Sequence, residues 1–199
     1  MAPLAPASLR LFAAVLPPPA QLAELAAAVD RLVPLPGADG LRWTARPGWH
    51  FTLAFMGEVD EALLPELSER LGRAAHRTAP FPLRLHGAGH FGRAVLWAGA
   101  AGGLDELRRL AERADAAARR AGVSMDEHRR YTPHLTVARA RDRTGAVDLT
   151  PFVAALDGFE GGRWEVGELV LVRSNLPSGQ PGERPRYETV AAWPLGGAG

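Results

Sequence analysis

Two short segments of the chain share one pattern: His50-Phe51-Thr52-Leu53-Ala54 and His134-Leu135-Thr136-Val137-Ala138 both read His, apolar, Thr, apolar, Ala. In an extended strand, side chains at i and i+2 leave one face while those at i+1 and i+3 leave the other. Each segment therefore displays an imidazole and a hydroxyl together, with apolar anchors behind them. Phe51, Leu53 and Phe55 are expected to fix the first strand in a core, and Leu135 and Val137 the second. A fold for this chain must bury one side of both strands and bring the two polar faces together as a cleft. Pro47 and Pro133 precede the two histidines closely, which disfavours helix just upstream of each.

Two histidines on either side of a phosphate can divide acid–base work, one taking a proton from the attacking oxygen and the other giving one to the leaving oxygen. Their ordinary pKa near neutrality suits both tasks. Threonine hydroxyls beside them can donate to non-bridging phosphoryl oxygens, where negative charge must be stabilised. The scheme calls for no metal and no cofactor. The bland alternative is a pair of half-buried strands whose polar groups are satisfied by backbone or water; duplication of the whole pattern argues for a site.

Composition removes several other chemistries. The chain has no cysteine, lysine or isoleucine, and all 23 basic residues are arginine. Thiol nucleophiles, cysteine zinc sites, a P-loop lysine and a lysyl-nucleotide intermediate are thereby excluded. Basic and acidic residues nearly balance, at 23 against 22, so any anion must be bound locally. His86 and His90 stand i, i+4 as a metal pair would, but Gly87 and Gly89 argue against a helix there and no third ligand is near, so no metal site is expected. No apolar stretch is long enough to span a bilayer. The opening MAPLAPASLRLFAAVLPPPA lacks a basic start and its apolar segment is short, so it reads as the first strand of a cytoplasmic protein rather than a leader.

Helical spacing of apolar residues predicts helices from about Ala20 to Val33, from an Asp60 N-cap through Leu71, and from Leu104 to a terminating Gly122. The last also carries Arg108, Arg109, Arg113, Arg119 and Arg120, interleaved with Glu106, Glu112 and Asp115; this reads as a solvated, salt-bridged face. Strands are expected at Ser8–Val15, Leu41–Thr44, Trp49–Met56, Pro82–His86, Ala94–Ala98, Thr132–Ala140, Trp164–Arg173 and Tyr187–Trp193. Several neighbours are too close for helical crossovers, so pairing is antiparallel and the class is α+β.

These segments resemble the 2H phosphoesterase superfamily, named for its paired His-x-Thr/Ser-x motifs, and in particular its RNA 2′,3′-cyclic phosphodiesterases, formerly called 2′-5′ RNA ligases. The likeness extends to RLFAAVLPP, RWTARPGWHFTLAFMGEVD, FGRAVLWAG, RRYTPHLTVARAR, ELVLVRSNL and PRYETVAAWPL. It implies a single bilobal domain over residues 1–199, with two pseudo-symmetric halves whose antiparallel sheets line a central cleft and whose helices lie outside. It further implies metal-independent hydrolysis of an RNA terminal 2′,3′-cyclic phosphate to a 2′-phosphomonoester, with weak ATP-independent 2′-5′ joining in some members. No cofactor is implied, the partners are RNA ends or small cyclic nucleotides, and a monomer is expected.

By motif position, the resemblance makes His50 the general acid and His134 the general base, roles that exchange if substrate docks the other way. Thr52 and Thr136 become the phosphate-binding hydroxyls. Relatives place groups that contact phosphate or sandwich the terminal base five residues after each histidine, where this chain has Phe55 and Arg139. Strict alternation turns both away from the cleft, and they contribute only if a strand irregularity brings them round; core packing is the alternative for Phe55. Arg46, Arg129 and Arg130 flank the motifs, either steering an RNA phosphate or serving as solubilising charge, while His76 and His128 read as surface or structural. A non-catalytic RNA-end-binding module remains the rival from another class.

Overall fold

The computed structural model describes residues 7–126, 130–141, 147–178 and 183–197. Among the described residues, nine strands form two antiparallel sheets. Sheet one contains β1 (Ser8–Val15), β3 (Phe51–Asp60), β8 (Glu168–Asn175) and β9 (Arg186–Pro194), in the order β3-β1-β8-β9. Sheet two contains β2 (Leu41–Trp43), β4 (Phe81–Phe91), β5 (Val95–Gly102), β6 (Leu135–Ala140) and β7 (Trp164–Val166), in the order β2-β6-β5-β4-β7. Each sheet holds one motif strand, β3 or β6. Neither sheet is a continuous half of the sequence, because β2 crosses to sheet two between β1 and β3, and the chain returns to sheet one only at β8.

The apolar run at residues 11–15 of β1 follows from its place between β3 and β8. Leu11, Ala13 and Val15 join the main core on one face, while Phe12 and Ala14 pack with Val170 and Val172 on the other. On the first face lie α2 (Leu64–His76) and α3 (Leu104–Arg120), whose leucine and alanine stripes enter the main core. On sheet two lie α1 (Pro19–Asp30) and α4 (Thr150–Leu156). The second face of β1 is left for the cleft.

Local chemistry sets the boundaries. Asp60 does not cap α2 directly, as its spacing predicts; β3 runs through it, and its Oδ1 accepts from the Ala62 amide at 2.9 Å to cap a single 3₁₀ turn that feeds α2. Gly122 ends α3 as expected, with φ +90°. Its amide bonds to the Arg119 carbonyl and that of Val123 to the Ala118 carbonyl, a Schellman closure that needs the left-handed backbone of glycine. The run Trp164–Arg173, which reads as one strand, is two: the chain leaves sheet two at Val166, turns through Gly167 and enters sheet one at Glu168. Both sheets bury apolar side chains, so hydropathy carries no mark of the change. Helix α4 is too short to show a period in the sequence; Phe152 anchors it edge-on to Trp43. No helix among the described residues is long and apolar enough to cross a membrane.

Phe51 is fully buried between the motif side chains and the main core. Phe51→Ala should lower unfolding free energy by roughly 3–5 kcal/mol, read from urea denaturation; a loss below about 1 kcal/mol would show that β3 is not anchored through this ring.

Candidate active site

Each motif histidine stands one residue before its strand and each threonine two residues further on, half-buried in the cleft wall. Around His50, sheet one supplies an aromatic box. The imidazole stacks on Phe12 at 4.6 Å between ring centroids, and Tyr187 of β9 meets it edge-on at 5.1 Å. Gly48 makes room for this wall, since a Cβ there would lie 3.1 Å from the Tyr187 ring. Around His134, sheet two repeats the device: Phe91 meets the imidazole edge-on at 4.7 Å and Trp97 lies at 6.5 Å. A Cβ at Gly89 would overlap the Trp97 indole.

The anchoring of the two rings also repeats. The His134 Nδ1 lies 2.8 Å from the carbonyl of Thr132, and because a carbonyl only accepts, the proton sits on Nδ1 and Nε2 keeps its lone pair. His50 makes its own hydrogen bond to the Gly48 backbone, also two residues upstream.

Phe55 and Arg139 reach the cleft by a shared irregularity. In β3, Ala14 pairs with Thr52 and Ala13 with Ala54, leaving Leu53 as an extra residue; Phe55 then pairs with Phe12. In β6, Trp97 pairs with Thr136 and Leu96 with Ala138, leaving Val137 as the extra; Arg139 then pairs with Val95. One bulge directly after each threonine shifts the alternation by one residue and turns the fifth position onto the histidine's face. The expectation that Phe55 anchors the core is therefore wrong: it is 46% exposed, with the Arg10 guanidinium 4.7 Å over its ring. Arg139 is exposed and acts electrostatically on both His134 and Tyr187.

Burial pushes the His50 imidazole down to about 4, and the nearby charge of His134 pushes the same way, against the hydrogen bond to Gly48. His134 is also lowered, chiefly by burial and further by Arg139, with the Thr132 carbonyl opposing. Burial holds the Tyr187 phenol above its ordinary range, although Arg139 and Arg10 favour the phenolate. At neutral pH the cleft thus holds two neutral imidazoles that cannot readily both be charged. An anion placed between them would reverse the balance for one proton and leave one acid and one base.

Sequence reasoning missed Phe12, Tyr187, Phe91, Trp97 and Arg10, whose signal is contact across strands rather than spacing along one. The bulges did have a signal: Leu53-Ala54 and Val137-Ala138 are consecutive apolar pairs that break the alternation, and all four residues are buried. On β4, a bulge between Leu85 and Ala88 separates His86 from His90, and no group of three or more potential ligands is placed to hold a metal among the described residues. Arg46 is an exposed partner of Asp30 at 3.4 Å, and Arg130 and His76 are exposed. His128 and Arg129 lie outside the described residues.

A profile of the 2′-5′ RNA ligase superfamily matches residues 17–177. An RNA 2′,3′-cyclic phosphodiesterase from Geobacillus stearothermophilus is 34% identical over 162 residues, covering 78% of this chain and 48% of that protein, so the chain spans about half the length of that relative. One of the same name from Aeropyrum pernix is 34% identical over 148 residues, covering 72% of this chain and 82% of its own. Among solved structures, apo E. coli LigT superposes with a TM-score of 0.72 at 28% identity, covering 94% of this chain and 98% of that one. TT0787 of Thermus thermophilus gives 0.74 at 29% identity, covering 95% and 99%.

Nuclear magnetic resonance titration of the imidazoles tests the electrostatics. His50 should titrate with a midpoint of about 4. In His134→Ala that midpoint should rise, because a cationic neighbour is gone, yet stay below 6.5 because burial is the larger cause. A wild-type midpoint near 6.5 would mean that the ring is solvated.

Proposed function

The chain belongs to the 2′-5′ RNA ligase superfamily, and on that premise we propose that it hydrolyses the terminal 2′,3′-cyclic phosphate of RNA to a 2′-phosphomonoester. The observation that carries the reading is the pair of half-buried, electrostatically coupled imidazoles, each hydrogen-bonded to the backbone two residues upstream and followed by a threonine on the same face. The names of the Geobacillus and Aeropyrum relatives support the same substrate class.

In the proposed reaction, water attacks phosphorus and the bond to the 3′ oxygen breaks. His134 takes the water proton at Nε2, the nitrogen its Thr132 anchor leaves free. His50, charged by the arriving anion, gives its proton to the departing 3′ oxygen. Thr52 and Thr136 donate to the two non-bridging oxygens, where charge builds in the transition state. The exposed Phe55 ring, backed by Arg10, offers a stacking surface to the terminal base, and Arg139 offers charge to the phosphate. Weak 2′-5′ joining would use a 5′ hydroxyl in place of water. We infer that the protein works as a monomeric, single bilobal domain in the cytoplasm, on RNA ends rather than on small cyclic nucleotides.

Incubation in EDTA with a short RNA ending in 2′,3′-cyclic phosphate, resolving 2′- from 3′-phosphate, tests this. A 2′-phosphate should form, and His50→Ala and His134→Ala should each lower kcat by at least about a hundredfold. Thr52→Ala and Thr136→Ala should also cost about a hundredfold, whereas Phe55→Ala should mainly raise KM. Since the anion raises the acid's pKa, activity should fall on the alkaline side at higher pH in kcat than in kcat/KM. Full activity in either histidine variant, or a 3′-phosphate product, overturns the assignment; turnover of mononucleotides alone moves the substrate to small cyclic nucleotides.

A further inference from the structure

Helices α2 and α3 run antiparallel on the flank of sheet one away from the cleft, Leu63 lying near Gly122 at one end and Arg77 near Arg113 at the other. Between them is a cavity of about 120 Å³ lined by Arg70, Arg73, Arg77, Arg113 and Arg120 over alanines of both helices. Two of these guanidinium groups are neutralised, Arg70 by Glu66 and Arg73 by Glu69, each i, i+4 on α2. Arg77, Arg113 and Arg120 have no carboxylate within ion-pair distance among the described residues. Three uncompensated cations thus share one concave surface in a chain whose formal charge is only +1.

The site has one rigid member. Arg113 donates from Nη1 to the Arg77 carbonyl at 2.6 Å and to the Thr78 hydroxyl at 2.7 Å. Thr78 is 4% exposed and donates in turn to the Ala74 carbonyl at 2.9 Å. That chain of bonds orients Arg113 and leaves its Nε and Nη2 without a partner among the described residues. A fixed planar fork flanked by exposed guanidinium groups is the donor set that phosphoryl oxygens select. The volume lies below the ~300 Å³ where pockets for drug-sized ligands begin, so the cavity suits one phosphoryl group rather than a nucleoside.

We propose that the groove between α2 and α3 is a second phosphoryl-binding site, separate from the histidine cleft, built on Arg113 with Arg77 and Arg120. On the face of α3 that reads from sequence as solvated and salt-bridged, Arg108 and Arg119 pair with Asp105 and Asp115, while Arg113 and Arg120 have no ion-pair partner among the described residues. The phosphoryl group comes either from the backbone of a bound RNA or from a free phosphoanion, and the two are separable by experiment.

Inorganic pyrophosphate titrated at low salt, followed by residue-resolved amide shifts, should give saturable shifts at Ala74, Ala116 and Ala117, distinct from those at Thr52 and Thr136. Arg77→Ala/Arg120→Ala removes two exposed side chains, leaves the Thr78 network intact, and should weaken the flank response by roughly tenfold or more while sparing the cleft response. Arg113→Lys keeps the charge but not the fork and should also weaken it. A longer RNA with a 3′ hydroxyl that shifts the flank amides, where a dinucleotide does not, assigns the site to RNA backbone; a response to pyrophosphate alone assigns it to a free phosphoanion. Absence of flank shifts, or shifts unchanged in both arginine variants, overturns the proposal. Neither readout needs turnover, so a failure of the cyclic phosphodiesterase reading would leave this result standing.

Discussion

A pleated strand shows only every second side chain to one face, and both motif strands depart from that rule by one residue just after threonine. The rest of the cleft depends on this departure. Without it, histidine and threonine would line the cleft and the residue five after each histidine would face away. With it, His50, Thr52 and Phe55 share one face, as do His134, Thr136 and Arg139. The cost is a pair of adjacent buried residues, Leu53-Ala54 and Val137-Ala138, where the small alanine limits the crowding that two consecutive inward side chains create. The repeated sequence pattern thus records a repeated backbone irregularity as well as a repeated pair of reactive groups.

Burial and chemistry are coupled at the histidines. Phe12, Tyr187, Phe91 and Trp97 remove water from the imidazoles, and that desolvation depresses their basicity. The mutual repulsion of two imidazolium groups acts in the same direction. An anion entering the cleft meets groups whose charged forms have been made costly, and its own charge is the compensation they lack. In the proposed reaction, proton uptake and substrate binding are therefore linked: the acid would be created by the arrival of the phosphate, whose own leaving oxygen it would then protonate. Arg139 disfavours protonation of His134, and the same charge would favour the anion that the proposed reaction brings in.

The α+β class, antiparallel pairing, the main helices and the histidine–threonine pairs are legible in the sequence because each is written in local spacing. The Gly122 closure is legible for the same reason. What the sequence hides is non-local. The break at Gly167 is invisible because Trp164 to Val166 and Leu169 to Val172 are apolar for two different sheets. Tyr187 sits more than a hundred residues from His50, and nothing along the chain announces that β9 returns to cover it. Phe55 is misread when alternation is carried one residue past the point where two apolar residues in succession have already broken it. The arginines of α3 are read only in part for a related reason: interleaving gives the pairs at Arg108 and Arg119, but says nothing of the arginines that α2 brings up to the same groove.

The cleft walls also differ in how firmly they are held. Phe12 belongs to the central strand of sheet one and is almost wholly buried, whereas Tyr187 lies on β9, an edge strand whose residues are mostly exposed. Edge elements with few buried contacts open at lower free energy than central strands, without loss of the core. By that rule the less firmly held wall is the one standing edge-on to His50. Moving Tyr187 outward would admit water to the imidazole and relax part of the desolvation that keeps it neutral, while Phe12 holds the ring in place by stacking. The His50 ring thus has one aromatic partner on an interior strand, stacked on its face, and one on an edge strand, standing at its edge.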